Sequence, residues 1–370
     1  MKILPPENIT AITPYPPGKP LDELEREYGI THSIKLASNE NPWGPSPNAV
    51  AAASKALSDV HRYPDGSGYY LIQALSAWTG AEPDEIVLGN GSNELIEFLI
   101  KSYVQPGDEV ITSHPSFLMY QKFVQVRGGV NRIIELNRLQ HDLESIKANV
   151  NDKTRLIFLD NPNNPTGTLI PGAVFDAFLR ALPETVIVVL DEAYVDFTRP
   201  ENRIVFQEYI RKPQGLAGLV FLRTFSKAFG LAGLRIGYGI MHPDISECLH
   251  KVRQPFNINV PAQAGALAAL QDQEHYTMTL KKTSKGMSWL TDEVKKLGCN
   301  PFPSHANFFL LDVKGDATAL YEAMLYKGVI VRSMKAYGFP DCIRVTVGTK
   351  EENIRFIRTL SECLTELNYG

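Results

Sequence analysis

Lys227 closes a segment that starts as a short apolar run, Leu219-Val220-Phe221-Leu222, and continues Arg223-Thr224-Phe225-Ser226-Lys227. Taken alone, a lysine after a strand is usually solvated. Its neighbours suggest more. Thr224 and Ser226 offer hydroxyls, Arg235 follows as a fixed cation, and Gly230 and Gly233 allow backbone to approach closely. Hydroxyls together with a guanidinium make a cradle for a phosphate dianion. Backbone N–H groups at a helix start after Gly91-Ser92 would add to it.

A second chemical position is Asp191, at the tip of the apolar run Val186-Ile187-Val188-Val189-Leu190. A charge there is costly unless paired. One reading is a turn or capping aspartate. The other sets the carboxylate opposite a protonated ring nitrogen, where it makes the ring an electron sink. Tyr194 and, from a neighbouring loop, Asn164 can then donate to a ring oxygen. Tyr120 can lay a flat face on such a ring, although a core tyrosine is the commoner reason for one.

These residues require elements that hold them together. From Asp84 onward, short apolar strands alternate with amphipathic stretches, which predicts a mostly parallel sheet between helices. Ile86-Val87-Leu88 runs into Gly89-Asn90-Gly91-Ser92-Asn93, and Leu156-Ile157-Phe158-Leu159 into Asp160-Asn161-Pro162-Asn163-Asn164-Pro165-Thr166-Gly167. Ligands of open α/β sheets sit beyond the carboxyl ends of the strands, so all four polar clusters should meet in one crevice. Residues 45–255 are therefore expected to form a large α/β domain. Residues 28–44 with 256–370 should form a smaller α+β domain, closed by an apolar stripe of Ile354, Ile357, Leu360, Leu364 and Leu367. Six prolines within the first twenty residues argue against regular structure there, so residues 1–27 read as an extended arm lying across something else, such as a partner subunit.

Composition narrows the partners. With 37 basic and 41 acidic residues, a net charge of -4 and no basic stripe, a nucleic-acid partner is not expected. No run is long enough to span a membrane. The four scattered cysteines read as reduced thiols, and a cytoplasmic setting follows. The eight histidines show no ligand spacing, so no metal site is expected.

Taken together, Asn161 to Gly167, Asp191-Glu192-Ala193-Tyr194, and Ser226-Lys227 through Arg235 resemble, in this order and at about this spacing, the class I and II aminotransferases of the fold-type I pyridoxal-phosphate enzymes. The similarity spans nearly the whole chain. It implies that Lys227 holds pyridoxal phosphate as a Schiff base and then moves the substrate's proton. Asp191 would pair the ring nitrogen, with Asn164 and Tyr194 on the ring oxygen. Gly91, Ser92, Asn93, Thr224, Ser226 and Arg235 would hold the phosphate. Members often carry an acidic residue where this chain has Asn93. Tyr63, in His61-Arg62-Tyr63-Pro64-Asp65-Gly66, matches a tyrosine that reaches the phosphate from the other subunit, which implies a homodimer with shared sites.

Further stretches narrow the resemblance to the branch that acts on histidinol phosphate. They are Ile12-Thr13-Pro14-Tyr15, Ala37-Ser38-Asn39-Glu40-Asn41-Pro42, Ala306-Asn307-Phe308, Gly328 to Arg332, and Ile343 to Thr349. The resemblance implies that Arg344 clamps the carboxylate of 2-oxoglutarate or glutamate. Arg332 and Tyr15 would take the substrate phosphate, with Asn41 and Asn307 as further substrate contacts. Without it, both arginines would read as exposed strand ends. Two other activities of the same fold fit the residues: an aromatic or other amino-acid aminotransferase, and a threonine-phosphate decarboxylase. A binding protein that keeps the cofactor without turnover fits the intact lysine, aspartate and tyrosine poorly.

Overall fold

The computed structural model describes residues 4–14, 26, 29–210 and 217–369. Strand β1 (Ile34–Lys35) lies apart from the main sheet, which is built from β2 (Ile86–Gly89), β3 (Glu109–His114), β4 (Val130–Glu135), β5 (Thr154–Asp160), β6 (Ile187–Asp191), β7 (Gly218–Thr224) and β8 (Gly237–Met241). Their order is β2-β8-β7-β6-β5-β3-β4. The ladders between β7, β6, β5, β3 and β4 are all parallel, and β8 alone runs opposite, antiparallel to both β2 and β7.

The apolar runs form strands here because both faces of the sheet are covered. Alternate residues serve two cores. Ile86, Leu88, Ile157, Leu159, Val188, Leu190 and Phe221 face one, packed by the Tyr69–Thr79 and Gly172–Arg180 helices through Leu71, Leu75 and Phe175. Val87, Leu156, Phe158, Val189, Val220 and Leu222 face the other, against the Ser92–Tyr103 and Pro243–Val252 helices. Side chains on a strand point alternately to opposite faces, so continuous apolar sequence is what a sheet covered on both sides needs.

The remaining strands, β9 (Asn300–Pro301), β10 (Phe308–Asp312), β11 (Val329–Ile330), β12 (Arg332–Ser333) and β13 (Cys342–Thr346), are short. An antiparallel sheet of order β12-β13-β10-β9 packs Phe309, Leu311, Ile343 and Val345 against the Gln273–Lys296, Ala317–Tyr326 and Lys350–Glu366 helices. Strand β1 pairs in parallel with β11, which ties the segment before the large sheet to this smaller one.

Three expectations need adjusting. The Val260–Gln271 helix was expected in the smaller unit, but Ala262, Ala266, Ala269 and Leu270 bury in the large core. Its small side chains let it lie close along the alanine-rich Pro47–Ala56 helix, so we place the passage between units after it. The closing helix is rotated from its expected stripe. Ile354 is 48% exposed, while Phe356, Leu360, Cys363 and Leu364 are buried. In the arm, Glu7–Thr10 forms a single helical turn between prolines. It docks on its own chain, Asn8 Nδ2 donating to the carbonyls of Gln125 and Val126 at 3.1 and 3.0 Å.

Phe356 fills the centre of the smaller core with no exposed surface. Phe356→Ala should cost about 3–5 kcal/mol of stability, the usual range for a buried phenylalanine. Urea unfolding followed by circular dichroism measures it, and a loss below about 1 kcal/mol would show that this core refills the cavity.

Candidate active site

The parallel strands finish at one edge, where β5 and β6 bring Asp160 and Asp191 into direct register. Because β8 runs backwards, it begins at the same edge, with Gly237 opposite both Thr224 and Gly89. Arg235, just before it, is thereby delivered beside the loop that follows β2. The cavity at this edge measures about 250 Å³, and Ser92, Asn93, Tyr120, Asn164, Asp191, Tyr194, Thr224, Ser226, Lys227 and Arg235 all line it.

At one end the geometry suits an oxyanion. Gly91, at φ 76°, caps the Ser92–Tyr103 helix. A Cβ at Gly91 would lie 2.5 Å from an Arg235 guanidinium nitrogen, and one at Gly237 would lie 2.5 Å from the Ser92 backbone nitrogen. Only glycine permits that closeness. The Thr224 hydroxyl donates to Ser226 Oγ at 3.0 Å and accepts from the Ser226 N–H at 3.1 Å. Asn93 Oδ1 is buried with no hydrogen-bond partner among the described residues. Helix-start N–H groups, two hydroxyls and a guanidinium fit the phosphate of the cofactor that the sequence implied.

Asp191 lies at the other end, buried. Tyr120 Oη donates to its Oδ2 at 2.8 Å and the Ala193 N–H to its Oδ1 at 3.1 Å. Its pKa is pushed up to about 7, by burial above all; the Tyr120 hydroxyl opposes the rise and the Asp160 carboxylate adds to it. A cation at this point would restore its charge, which fits a protonated ring nitrogen. Asp160 accepts from Asn163 Nδ2 at 3.0 Å and from the Asn164 N–H at 2.8 Å, and sits 3.2 Å from His141 Nε2.

Between the two ends stands Lys227, its Nζ donating to the Ser38 carbonyl at 3.1 Å and lying 5.5 Å from the centre of the Tyr194 ring. Its pKa is lowered to about 8, first by burial and then by Arg344. Such an amine has a substantial neutral fraction near neutral pH and can accept a proton or attack a carbonyl.

Tyr120 does not present its face to the cavity. Its ring stacks on Phe158 at 4.7 Å and 12°, wholly buried, so its hydroxyl is the part that serves the site. Phe117, which sequence reasoning missed, is the half-buried aromatic on the cavity wall, edge-on to Tyr120. Asp160 was also missed, although it carried the same signal as Asp191, a carboxylate ending a buried strand.

The expected substrate residues lie around the cavity rather than in its lining. Arg344 donates to Asn164 Oδ1 and, at 2.7 Å, to the Ala37 carbonyl, with Phe308 beneath its guanidinium. Arg332 is its direct neighbour across the β12–β13 ladder. Asn307 Nδ2 donates to the Asn39 carbonyl at 3.1 Å, and Asn41 Nδ2 to the Ala228 carbonyl at 3.0 Å. Tyr63 is 83% exposed and stacks on Phe256. Tyr15 lies outside the described residues.

Comparison with known proteins adds independent findings. The family model described as aminotransferase class I and II matches residues 31–360. A histidinol-phosphate aminotransferase of Desulfotalea psychrophila is 63% identical over 98% of this chain and 96% of that protein. One from Moorella thermoacetica is 44% identical over 97% and 92%. Among solved structures, the histidinol-phosphate aminotransferase of Sinorhizobium meliloti, in complex with pyridoxal-5'-phosphate, superposes with a TM-score of 0.90. It is 30% identical, over 98% of this chain and 97% of that one.

The raised Asp191 pKa carries a stability cost with a definite sign. The folded carboxyl titrates above its ordinary 3.8, so the stability it leaves intact below that value is lost as pH rises through about 7. Cofactor-free Asp191→Asn should therefore be more stable than the parent at pH 8, by on the order of 4 kcal/mol, and nearly equal to it near pH 4. Urea unfolding at the two pH values measures this; an equal difference at both would mean that Asp191 is ionised at no cost.

Proposed function

As the chain belongs to the class I and II aminotransferases, we propose that this pyridoxal-phosphate-dependent enzyme moves an amino group from L-histidinol phosphate to 2-oxoglutarate. The products would be imidazole acetol phosphate and L-glutamate, a step of histidine biosynthesis. The observation that carries the chemistry is the convergence of Lys227, Asp191 and the Arg235 cradle on one cavity. The substrate assignment is supported by the near full-length likeness to proteins named for that activity.

Bound here, pyridoxal phosphate supplies a carbonyl carbon that accepts an amino group and a ring that withdraws electrons from the substrate's Cα. The residues do the rest. Arg235, Thr224, Ser226 and the N–H groups from Gly91 to Asn93 anchor the phosphate and thereby fix the ring in place. Asp191 keeps the ring nitrogen protonated, and Tyr120 holds that carboxylate in position. Asn164 and Tyr194 bind the ring oxygen. Lys227 holds the cofactor covalently and, once released, takes the proton from Cα, for which a pKa near 8 suits it. Phe117 supplies the apolar wall beside the ring.

Substrate selection falls to the arginine pair. Arg344, held by Asn164 and Ala37, presents a fixed fork to a carboxylate, and Arg332 with Tyr15 reads the phosphate of the donor. With 2-oxoglutarate as acceptor, kcat/KM should be far higher for L-histidinol phosphate than for phenylalanine or threonine phosphate. Arg332→Ala should erase most of the preference over phenylalanine by lowering kcat/KM for the phosphorylated donors and leaving phenylalanine unchanged. An equal loss on every donor would remove Arg332 from phosphate recognition, and a parent preference for phenylalanine would replace the substrate assignment with an aromatic one.

A homodimer with shared sites belongs to the same proposal. Tyr63 is not among the residues that line its own chain's cavity, and Leu57, Val60, Tyr69, Tyr70 and Phe256 are exposed near it in sequence or space. An apolar surface of that kind suits a subunit contact. Lys227→Ala and Tyr63→Ala proteins, each impaired alone, should regain activity when refolded together, because a hybrid contains one intact site. Failure of hybrids to exceed the sum of the parents would place Tyr63 outside the partner's site. The setting we propose is cytoplasmic, in keeping with four free cysteines and with the absence, among the described residues, of any helix long and apolar enough to cross a membrane.

A further inference from the structure

We propose that Asn39 is a positioning residue that commits the Tyr194 O–H proton to the cavity and ties that commitment to the placement of the small sheet. The inference rests on the reading above, in which Tyr194 meets the cofactor's ring oxygen.

Asn39 is 1% exposed and holds a left-handed backbone, φ 55°, a conformation asparagine tolerates better than most residues. All its polar groups are engaged. The backbone N–H donates to Thr346 Oγ1 at 3.0 Å, and the Thr346 hydroxyl returns its own proton to Asn39 Oδ1 at 2.9 Å. The backbone carbonyl accepts from Asn307 Nδ2 at 3.1 Å. This pairing with Thr346 decides which way the amide points. With Oδ1 occupied, Nδ2 faces Tyr194 Oη at 2.9 Å, and an amide nitrogen only donates.

Tyr194 Oη is therefore an acceptor towards Asn39. Asn164 Nδ2, whose amide is in turn oriented by Arg344, approaches the same oxygen at 3.4 Å. A hydroxyl has two acceptor positions and one proton. With both positions met by N–H donors, and no acceptor for the proton among the described residues, the proton is left to the cavity that Tyr194 lines. Burial raises the Tyr194 pKa and keeps that proton in place. An aspartate at position 39 would reverse the polarity, accepting the tyrosine's proton. Of the two, both of which tolerate this backbone, asparagine is the one that supplies the donor.

The test reads the visible absorbance of the holoenzyme against pH. Without the Tyr194 donor the ring oxygen keeps more negative charge and holds the neighbouring proton more tightly, so the titration midpoint rises. Asn39→Gly, which leaves the backbone free to keep φ 55°, should raise the midpoint by about one pH unit. Tyr194→Phe should move it the same way, and adding Asn39→Gly to Tyr194→Phe should change nothing further. Thr346→Val, which frees the amide to turn while keeping the side-chain shape, should give a smaller rise and carries the test if Asn39→Gly does not fold. A lowered melting temperature with an unmoved midpoint in both variants would make Asn39 merely structural and overturn the inference. An equal further rise in the Tyr194→Phe background would overturn it too, since Asn39 would then act without the tyrosine. An unmoved midpoint in Tyr194→Phe itself would overturn the cofactor contact, and the inference with it.

Discussion

A carboxylate buried at the end of a central strand must find a positive partner or give up its charge, and much of this molecule is arranged around Asp191 under that constraint. Register across the sheet sets Asp160 beside it, which makes ionisation harder still. The protein answers with neutral donors, Tyr120 and the Ala193 N–H, and leaves the full counter-charge to a bound ring. Such a site is unstable by itself and strongly complementary to a protonated heterocycle, the exchange of stability for function expected where a ligand completes an electrostatic pair. Lys227 shows the opposite case: burial and neighbouring arginines work against its charge, and the result is a usable base.

The part of the site that was legible in the sequence is the part fixed by strand ends. In a parallel sheet every strand delivers its last residues to the same rim, so Gly91 to Asn93, Asn164, Asp191 and Thr224 to Lys227 could be assembled from apolar runs and the polar residues that terminate them. Arg235 was read into the cradle from its nearness in sequence to Thr224 and Ser226. Its physical delivery depends on the reversal of β8, which local periodicity does not reveal, since an apolar strand buried on both faces reads alike in either direction.

What escaped the sequence depends on which side of an element meets which neighbour. Phe117 and Tyr120 are equally plausible stacking residues on paper, and the choice is made by Phe158, a strand residue that takes the Tyr120 ring and leaves Phe117 on the wall. The Val260–Gln271 helix was misplaced because its residues are small and apolar on most sides, so no stripe indicates what it faces. Asn39 looked like an ordinary member of a motif. Its role is set by Tyr194 and Thr346, which are 155 and 307 residues away in the chain.

That separation also bears on the order in which the enzyme can become itself. Because β8 turns back at once, Thr224, Ser226, Lys227 and Arg235 lie in one short stretch whose ends are clamped by the β7–β8 ladder. That side of the phosphate cradle thus needs little loop closure, whereas its Gly91 side waits for β2 to pair with β8. The substrate end needs Ala37 and Asn39 to meet Arg344 and Thr346 across nearly the whole chain, a closure whose entropy must be met before any contact rewards it. The lysine side of the cradle is thus a local product of the chain, while the arginine that would choose a substrate is held by the two ends of the chain meeting.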